Sequence, residues 1–416
     1  MDGNLVTSLS QAPPRGAAPL DGLTVLEISS FVAAPLGGLT LAQLGAEVIR
    51  IDPIGGSADI GRWPLAETGT SLFWTGLNKG KRSVTLNFRD PEGRRLLADL
   101  VARSGSGGGI VLTNAVGQAW LGYDELAAIR PDLIHLQIQG HHDGRPAVDY
   151  TVNAAIGFPM VTGPERFEGP VNHVLPAWDV ACGLYAAIGL LSAERRRQRA
   201  GLGSRITLSL EDVALGVTGH LGFLAEAQLT RADRPRIGNH LYGGFARDFG
   251  TADGERVMVV ALTRRHFADL AAATGLTGTF AELARLLGAD FGTDGDRYRH
   301  REVIASLLSP WFASREVADI ARELADTSVL WSRYRHFTDL VADEELAANP
   351  LLSQISQPGV GAVLAPGSPL AQDGALEARP APVLGADTAD VLTGFLGLSA
   401  DAVRALSKRG IAGGSA

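Results

Sequence analysis

Asp179 is the residue whose neighbours best suit it to covalent chemistry. It closes Pro176-Ala177-Trp178-Asp179 and precedes a small, apolar run at 180–191 with helical spacing. The run ends in Glu194-Arg195-Arg196-Arg197. A carboxylate is therefore expected at the mouth of a buried helix. Two roles fit such a place. An aspartate there can cap the helix by accepting a first-turn N–H. It can also serve as an acyl acceptor, kept ionised by the positive end of the helix dipole. The lone cysteine, Cys182, follows one turn later. No nearby residue reads as its base, so core packing is expected for it.

Other chemistry is poorly supported. The turn Ser29-Ser30-Phe31-Val32-Ala33-Ala34-Pro35 follows a strand-like run but has no G-x-G-x-x-G, so a pyrophosphate could not reach the backbone in the dinucleotide manner. Gly105-Ser106-Gly107-Gly108-Gly109 precedes a strand, where a phosphate loop would follow one, and reads as a flexible connector. The nine histidines show no metal-binding spacing, so no metal is expected. Asn78-Lys79-Gly80-Lys81-Arg82-Ser83 gathers three cations in one loop, either as a solvated turn or as a phosphate contact. The basic stretch at 195–199 reads as a solvated helix end.

The elements around these residues alternate. Strand-like runs at 23–28, 47–52, 83–87, 109–113, 133–139 and 206–210 are separated by helical segments, with one long helix expected over 210–229. This predicts an α/β fold with a parallel sheet and right-handed crossovers. Composition shifts near 230, where Arg231-Ala232-Asp233-Arg234-Pro235-Arg236 reads as a linker. We expect a loose tail over 1–19, a large domain from 20–229 and 346–416, and a smaller α/β domain over 230–345. A net charge of −8 argues against a nucleic-acid surface. The longest apolar run is too short to span a membrane, and Met1-Asp2-Gly3-Asn4 lacks a signal-peptide start. With one cysteine in 416 residues, a cytoplasmic protein is expected.

In this order, several segments resemble the family III CoA-transferases. They are Leu20-Asp21-Gly22-Leu23-Thr24-Val25-Leu26-Glu27, Ala34-Pro35, Leu44-Gly45-Ala46-Glu47-Val48-Ile49-Arg50-Ile51-Asp52, Lys81-Arg82-Ser83, Pro380-Ala381-Pro382-Val383-Leu384-Gly385 and Leu396-Gly397-Leu398-Ser399. The resemblance covers nearly everything from Pro19 to Ile411. It implies a Rossmann-like large domain built from both chain ends, a small domain from the middle, and an interlocked homodimer. It implies that Asp179 is the catalytic aspartate. CoA, carried as part of the substrate rather than as a bound cofactor, would run along the large domain. Its adenine would lie near Val32 and Ala33, its phosphates near Arg62, Lys81 and Arg82, and its pantetheine near Asn114. Two departures stand out. Pro53 replaces a CoA-contacting arginine, and Ala115-Val116-Gly117-Gln118 lacks the usual aromatic and arginine.

Racemases in the family carry a His-Asp dipeptide where this chain has Val148-Asp149, which leaves a proton-shuttle pair incomplete. The stretches at 148–155, 170–179 and 236–245 resemble the branch that moves CoA between the C1 and C4 carboxyls of mesaconate. An acyl-CoA thioester and a dicarboxylate are thus the expected partners. Transfer between two separate acids and a non-catalytic CoA binder are the alternatives. Tyr150, Asn153, His173, Tyr242 and Gly243 are expected around the substrate, with Asp149 orienting.

Overall fold

The computed structural model describes residues 18–370 and 377–413. All but the last two positions of the expected tail lie outside them. Contacts divide the chain into two units. The first runs to Ala155, resumes over Val174–Leu221 and closes from Ala348 onward; the second comprises Ile156–His173 and Gly222–Ala347.

In the first unit, β1 (Thr24–Ile28), β2 (Glu47–Pro53), β3 (Arg82–Leu86), β4 (Ile110–Thr113), β5 (Ile134–Gln139) and β6 (Ser204–Ser209) form one sheet in the order β3-β2-β1-β4-β5-β6. Every pairing is parallel. The buried runs make this possible, since both faces must be covered by crossover helices. These are α1 (Ala33–Gln43), α2 (Leu72–Leu77), α3 (Pro91–Arg103) and α4 (Tyr123–Ile129). Then come α5 (Asp149–Ala155), α6 (Phe158–Val161, in the second unit), α7 (Ala177–Ala200) and α8 (Leu210–His220). The strand order reverses between β1 and β4. In open parallel sheets that reversal opens a crevice at the carboxyl ends of the strands.

Both chain ends build this unit. Leu26, Ile49, Val84, Leu97 and Val111 share a core with Val391, Leu392, Leu406 and Ile411. Asp387 Oδ2 accepts the Ser83 N–H at 2.8 Å. The glycine stretch at 105–109 is a bound join, not a loose connector. Gly107 O accepts the Thr24 N–H at 3.0 Å, and Ser104 Oγ accepts that of Gly109 at 2.7 Å. The basic end of α7 is also not simply solvated. Arg197 is buried and donates to Gly108 O at 2.6 Å.

The helix expected over 210–229 is two helices. Gly222 takes a left-handed φ of 84° and separates α8 from α9 (Phe223–Thr230), because a continuing helix cannot hold that conformation. In the second unit, β7 (Phe245–Gly250), β8 (Arg256–Ala261) and β9 (Leu330–Arg333) form an antiparallel sheet. Phe245, Phe267, Phe280, Phe291 and Phe312 fill its core. Fifteen of the chain's 26 aromatic residues belong to this unit. Among the described residues, no helix is long and apolar enough to cross a membrane.

Candidate active site

The turn after α7 leads directly into the start of β6, so α7 runs back along the sheet. Its first residues therefore lie at the carboxyl edge, the edge where the crevice opens. Pro176 precedes the helix and offers no side-chain cap. The cap comes from α5. Asp149 is buried, and its Oδ2 accepts the N–H groups of Trp178 (2.8 Å) and Asp179 (3.1 Å). Asp179 thus does not act as the cap; it stands on the third helical residue, half-buried.

Small residues hold this turn in place. A Cβ on Gly183 would lie 2.7 Å from Ala33 O and 3.0 Å from Leu36 Cβ. One on Gly37 would lie 3.1 Å from Gly183 O. The backbones of α1 and α7 therefore touch one turn beyond Asp179, which explains the glycine- and alanine-rich spacing. Cys182 is buried here. Burial, then the Asp179 charge, pushes its thiol up to about 12, so it is no nucleophile.

The Asp179 carboxyl is pushed up to about 7, first by burial and then by the charge of Asp149; Arg62 pulls the other way. The Arg62 guanidinium lies over the rings of Phe31 (5.6 Å) and Phe73 (4.9 Å). Phe31 has a left-handed φ of 63° and donates its N–H to Asp59 Oδ2 at 3.0 Å. Asp59 belongs to a buried ionic cluster. Arg50 binds Asp52 (2.9 Å), Asp59 (3.2 Å) and Ser29 O (3.1 Å). Lys81 binds Glu27 (2.9 Å), Asn78 Oδ1 (2.9 Å) and Pro35 O (2.8 Å).

That cluster corrects the expectation for Lys81. All three of its ammonium donors are used inside the protein, so it cannot reach a phosphate. Arg82 is corrected too. It stands opposite Ile49 near the start of β2, away from the carboxyl edge, and pairs with Glu47 at 2.7 Å. A groove of about 910 Å³ opens at the carboxyl ends, lined among others by Ser30, Pro53, Asn87, Arg89, Arg94 and Trp120. Arg62 is not part of its lining. Arg89 and Arg94 went unread in the sequence, though Asn87-Phe88-Arg89 directly after β3 carried the signal. Arg94 donates to Phe88 O at 2.6 Å and lies 5.8 Å from the Trp120 ring.

Asn114 lines the groove and clamps its rim, exchanging hydrogen bonds with Ser30 N (3.0 Å) and Ser30 O (2.8 Å). Val32 is half-buried, and Ala33 is buried against α7. Asn153 is not a pocket wall. It is buried, and its Oδ1 accepts the Trp178 indole N–H at 3.1 Å. Tyr150 is exposed on α5. In the second unit His173 is half-buried, Tyr242 donates to Glu226 at 2.6 Å, and Gly243 turns the chain with a φ of 78°. On the surface of the first unit, His142, Glu211 and Asp212 come together in a way that could hold a metal ion.

Residues 20–388 match CoA-transferase family III. The chain belongs to that family. It is 48% identical over 400 residues to a 2-methylfumaryl-CoA isomerase of Chloroflexus aurantiacus, covering 95% of this chain and 98% of that one. It is 29% identical to a succinyl-CoA–D-citramalate CoA-transferase of the same organism, covering 94% and 97%. The crystal structure of a CAIB/BAIF family protein from Brucella suis matches with a TM-score of 0.75 at 27% identity, covering 91% of this chain and 99% of that one. As a family III enzyme the protein acts on acyl groups carried by CoA.

Proposed function

We propose that this enzyme moves CoA between the C1 and C4 carboxyl groups of mesaconate, isomerising 2-methylfumaryl-CoA within one molecule. Near full-length likeness to the Chloroflexus isomerase supports the substrate. The observation that carries the chemistry is the half-buried Asp179 carboxylate at the start of α7.

An Asp179 oxygen attacks the C1 thioester carbonyl, the C–S bond breaks, and CoA leaves as thiolate, giving a mixed anhydride. The thiolate attacks the Asp179 carbonyl carbon, the anhydride C–O bond breaks, and mesaconate departs with the electron pair. The C4 carboxylate then attacks the aspartyl-CoA thioester, and the sequence reverses with CoA on C4. Covalent catalysis keeps the thioester energy. Holding both fragments raises their effective concentration. Water must be excluded, since it would hydrolyse the anhydride. No resident cofactor is needed. The groove with Arg89 and Arg94 suits the CoA phosphates. Tyr150 is a candidate pocket wall, and Val148 offers no proton-shuttling group.

We read the exposed apolar side chains Leu184, Tyr185, Ile188 and Leu215 of α7 and α8 as the face covered by a second copy of the chain. The single buried cysteine suits the cytosol.

The test is incubation with mesaconyl-C1-CoA and identification of the product. Appearance of the C4 ester, its loss in Asp179→Ala, and hydroxylamine trapping on Asp179 are expected. An active Asp179→Ala enzyme overturns the covalent route.

A further inference from the structure

The proposed reaction creates a charge problem. Before attack Asp179 is an anion. Once acylated it is neutral, and cleavage of the anhydride C–O bond leaves the electron pair on a free dicarboxylate. An enzyme working between two acids lets that product leave. An intramolecular enzyme must keep it until its other carboxylate attacks.

Arg62 is held at the entrance to α1, beside the turn that carries Phe31. Its guanidinium lies over Phe31 and Phe73. Its backbone is fixed as well: Arg62 N donates to Asp59 O at 3.1 Å, and Arg62 O accepts from Ser71 Oγ at 2.5 Å. The Phe31 platform is tied through Asp59 to the buried Arg50 cluster. Two residues after Phe31, Ala33 meets Gly183, one turn beyond Asp179. Arg62 therefore stands at the shared mouth of α1 and α7, and its charge acts on Asp179. Its side chain is exposed, hence open to a ligand. The groove has its own cations in Arg89 and Arg94, so Arg62 is not needed for the phosphates.

We propose that Arg62 retains the dicarboxylate: from its seat over Phe31 and Phe73 it takes the released mesaconate carboxylate while Asp179 is acylated. The inference rests on the intramolecular reading above. In the aspartyl-CoA state the Asp179 charge is gone, and the one new anion at the site is the leaving acid. A guanidinium suits it because its planar fork matches a carboxylate. Holding that acid makes Arg62 a determinant of whether transfer stays within one molecule.

The experiment follows isomerisation of mesaconyl-C1-CoA in the presence of free carbon-13 mesaconate, reading the ratio of label incorporation to isomerisation. In Arg62→Gln the ratio is expected to rise at least about tenfold, the loss of one charge-assisted contact. Arg62→Lys is expected to restore most of the retention. A ratio unchanged in Arg62→Gln, whatever its rate, overturns the proposal. Should Arg62→Gln not accumulate as folded protein, Phe73→Leu removes one ring platform and leaves the charge. A raised ratio there supports retention, and an unchanged one overturns it. Wild-type enzyme that leaves the C1 ester unconverted, or takes up label as fast as it isomerises, removes the underlying reading. A retentive wild type with an unchanged variant ratio removes the role of Arg62 alone.

Discussion

Asp149 Oδ2 accepts the Asp179 N–H at 3.1 Å, while its negative charge raises the Asp179 carboxyl. One side chain both fixes Asp179 in space and makes it harder to ionise. The two effects separate under mutation.

The first consequence is a pH profile. The proposed attack needs the Asp179 carboxylate, which burial and Asp149 push up to about 7. We expect kcat/KM to be flat above that pH and to fall about tenfold per unit below it. Asp149→Asn keeps an acceptor for the two N–H groups and removes the charge. Its acidic limb should move to lower pH. A limb unmoved in Asp149→Asn would show that Asp149 acts on position alone.

Asp149→Ala removes the acceptor itself. Two first-turn N–H groups of α7 lose their partner. A loss of about 1–2 kcal/mol in denaturant unfolding is expected, as for other cap deletions. Asp149→Asn should lose less.

Asp179→Asn should inactivate the enzyme and yet stabilise it. The folded carboxyl titrates near 7, above its ordinary value. At strongly acid pH the folded and unfolded chains are both protonated, so no difference arises. As pH rises, the unfolded chain ionises first and the folded state loses relative stability, fully so above about 7. The gain in Asp179→Asn should therefore be on the order of 1–2 kcal/mol at pH 8 after solvent screening, and vanish in acid. Melting curves at both pH values check this.

The proposed function divides the cations into scaffold and ligand contacts. Lys81→Met takes from the buried Glu27 its nearest cation and leaves it Ser29 Oγ and, at 3.9 Å, Arg50, so about 3 kcal/mol of stability should be lost. Arg94→Ala, in the groove, should leave the melting temperature within a few degrees and raise KM for the acyl-CoA about tenfold. If both variants behave alike, this division is wrong.

Gly183→Val tests the contact between α1 and α7. Its Cβ meets backbone at 2.7 Å, which cannot move aside cheaply. We expect about 1–3 kcal/mol of destabilisation and a fall in kcat of at least about tenfold.

Much of this was legible in the sequence because it is local. Buried runs such as Ile110–Thr113 announce strands, and Asp90-Pro91 announces α3, where Asp90 accepts the Glu92 N–H at 2.8 Å. The place of Asp179 in the first turn of α7 was legible from the small-residue run that follows it. What stayed hidden depends on partners distant in the chain. Lys81 looks like any surface cation until Glu27, 54 residues away, is folded against it. Asp149 could not be recognised as the cap of a helix that begins 28 residues later. Asn153 reads as a pocket residue until the Trp178 indole is seen to occupy it.

The meeting of Ala33 and Gly183 bears on how such enzymes can diversify. The position of Asp179 is referred to the main chain of α1 and to the buried Asp149 carboxylate. Other side chains around the site can therefore be exchanged, by drift or by an engineer, without moving Asp179. A new acid can be accepted while the step that captures it stays where it was.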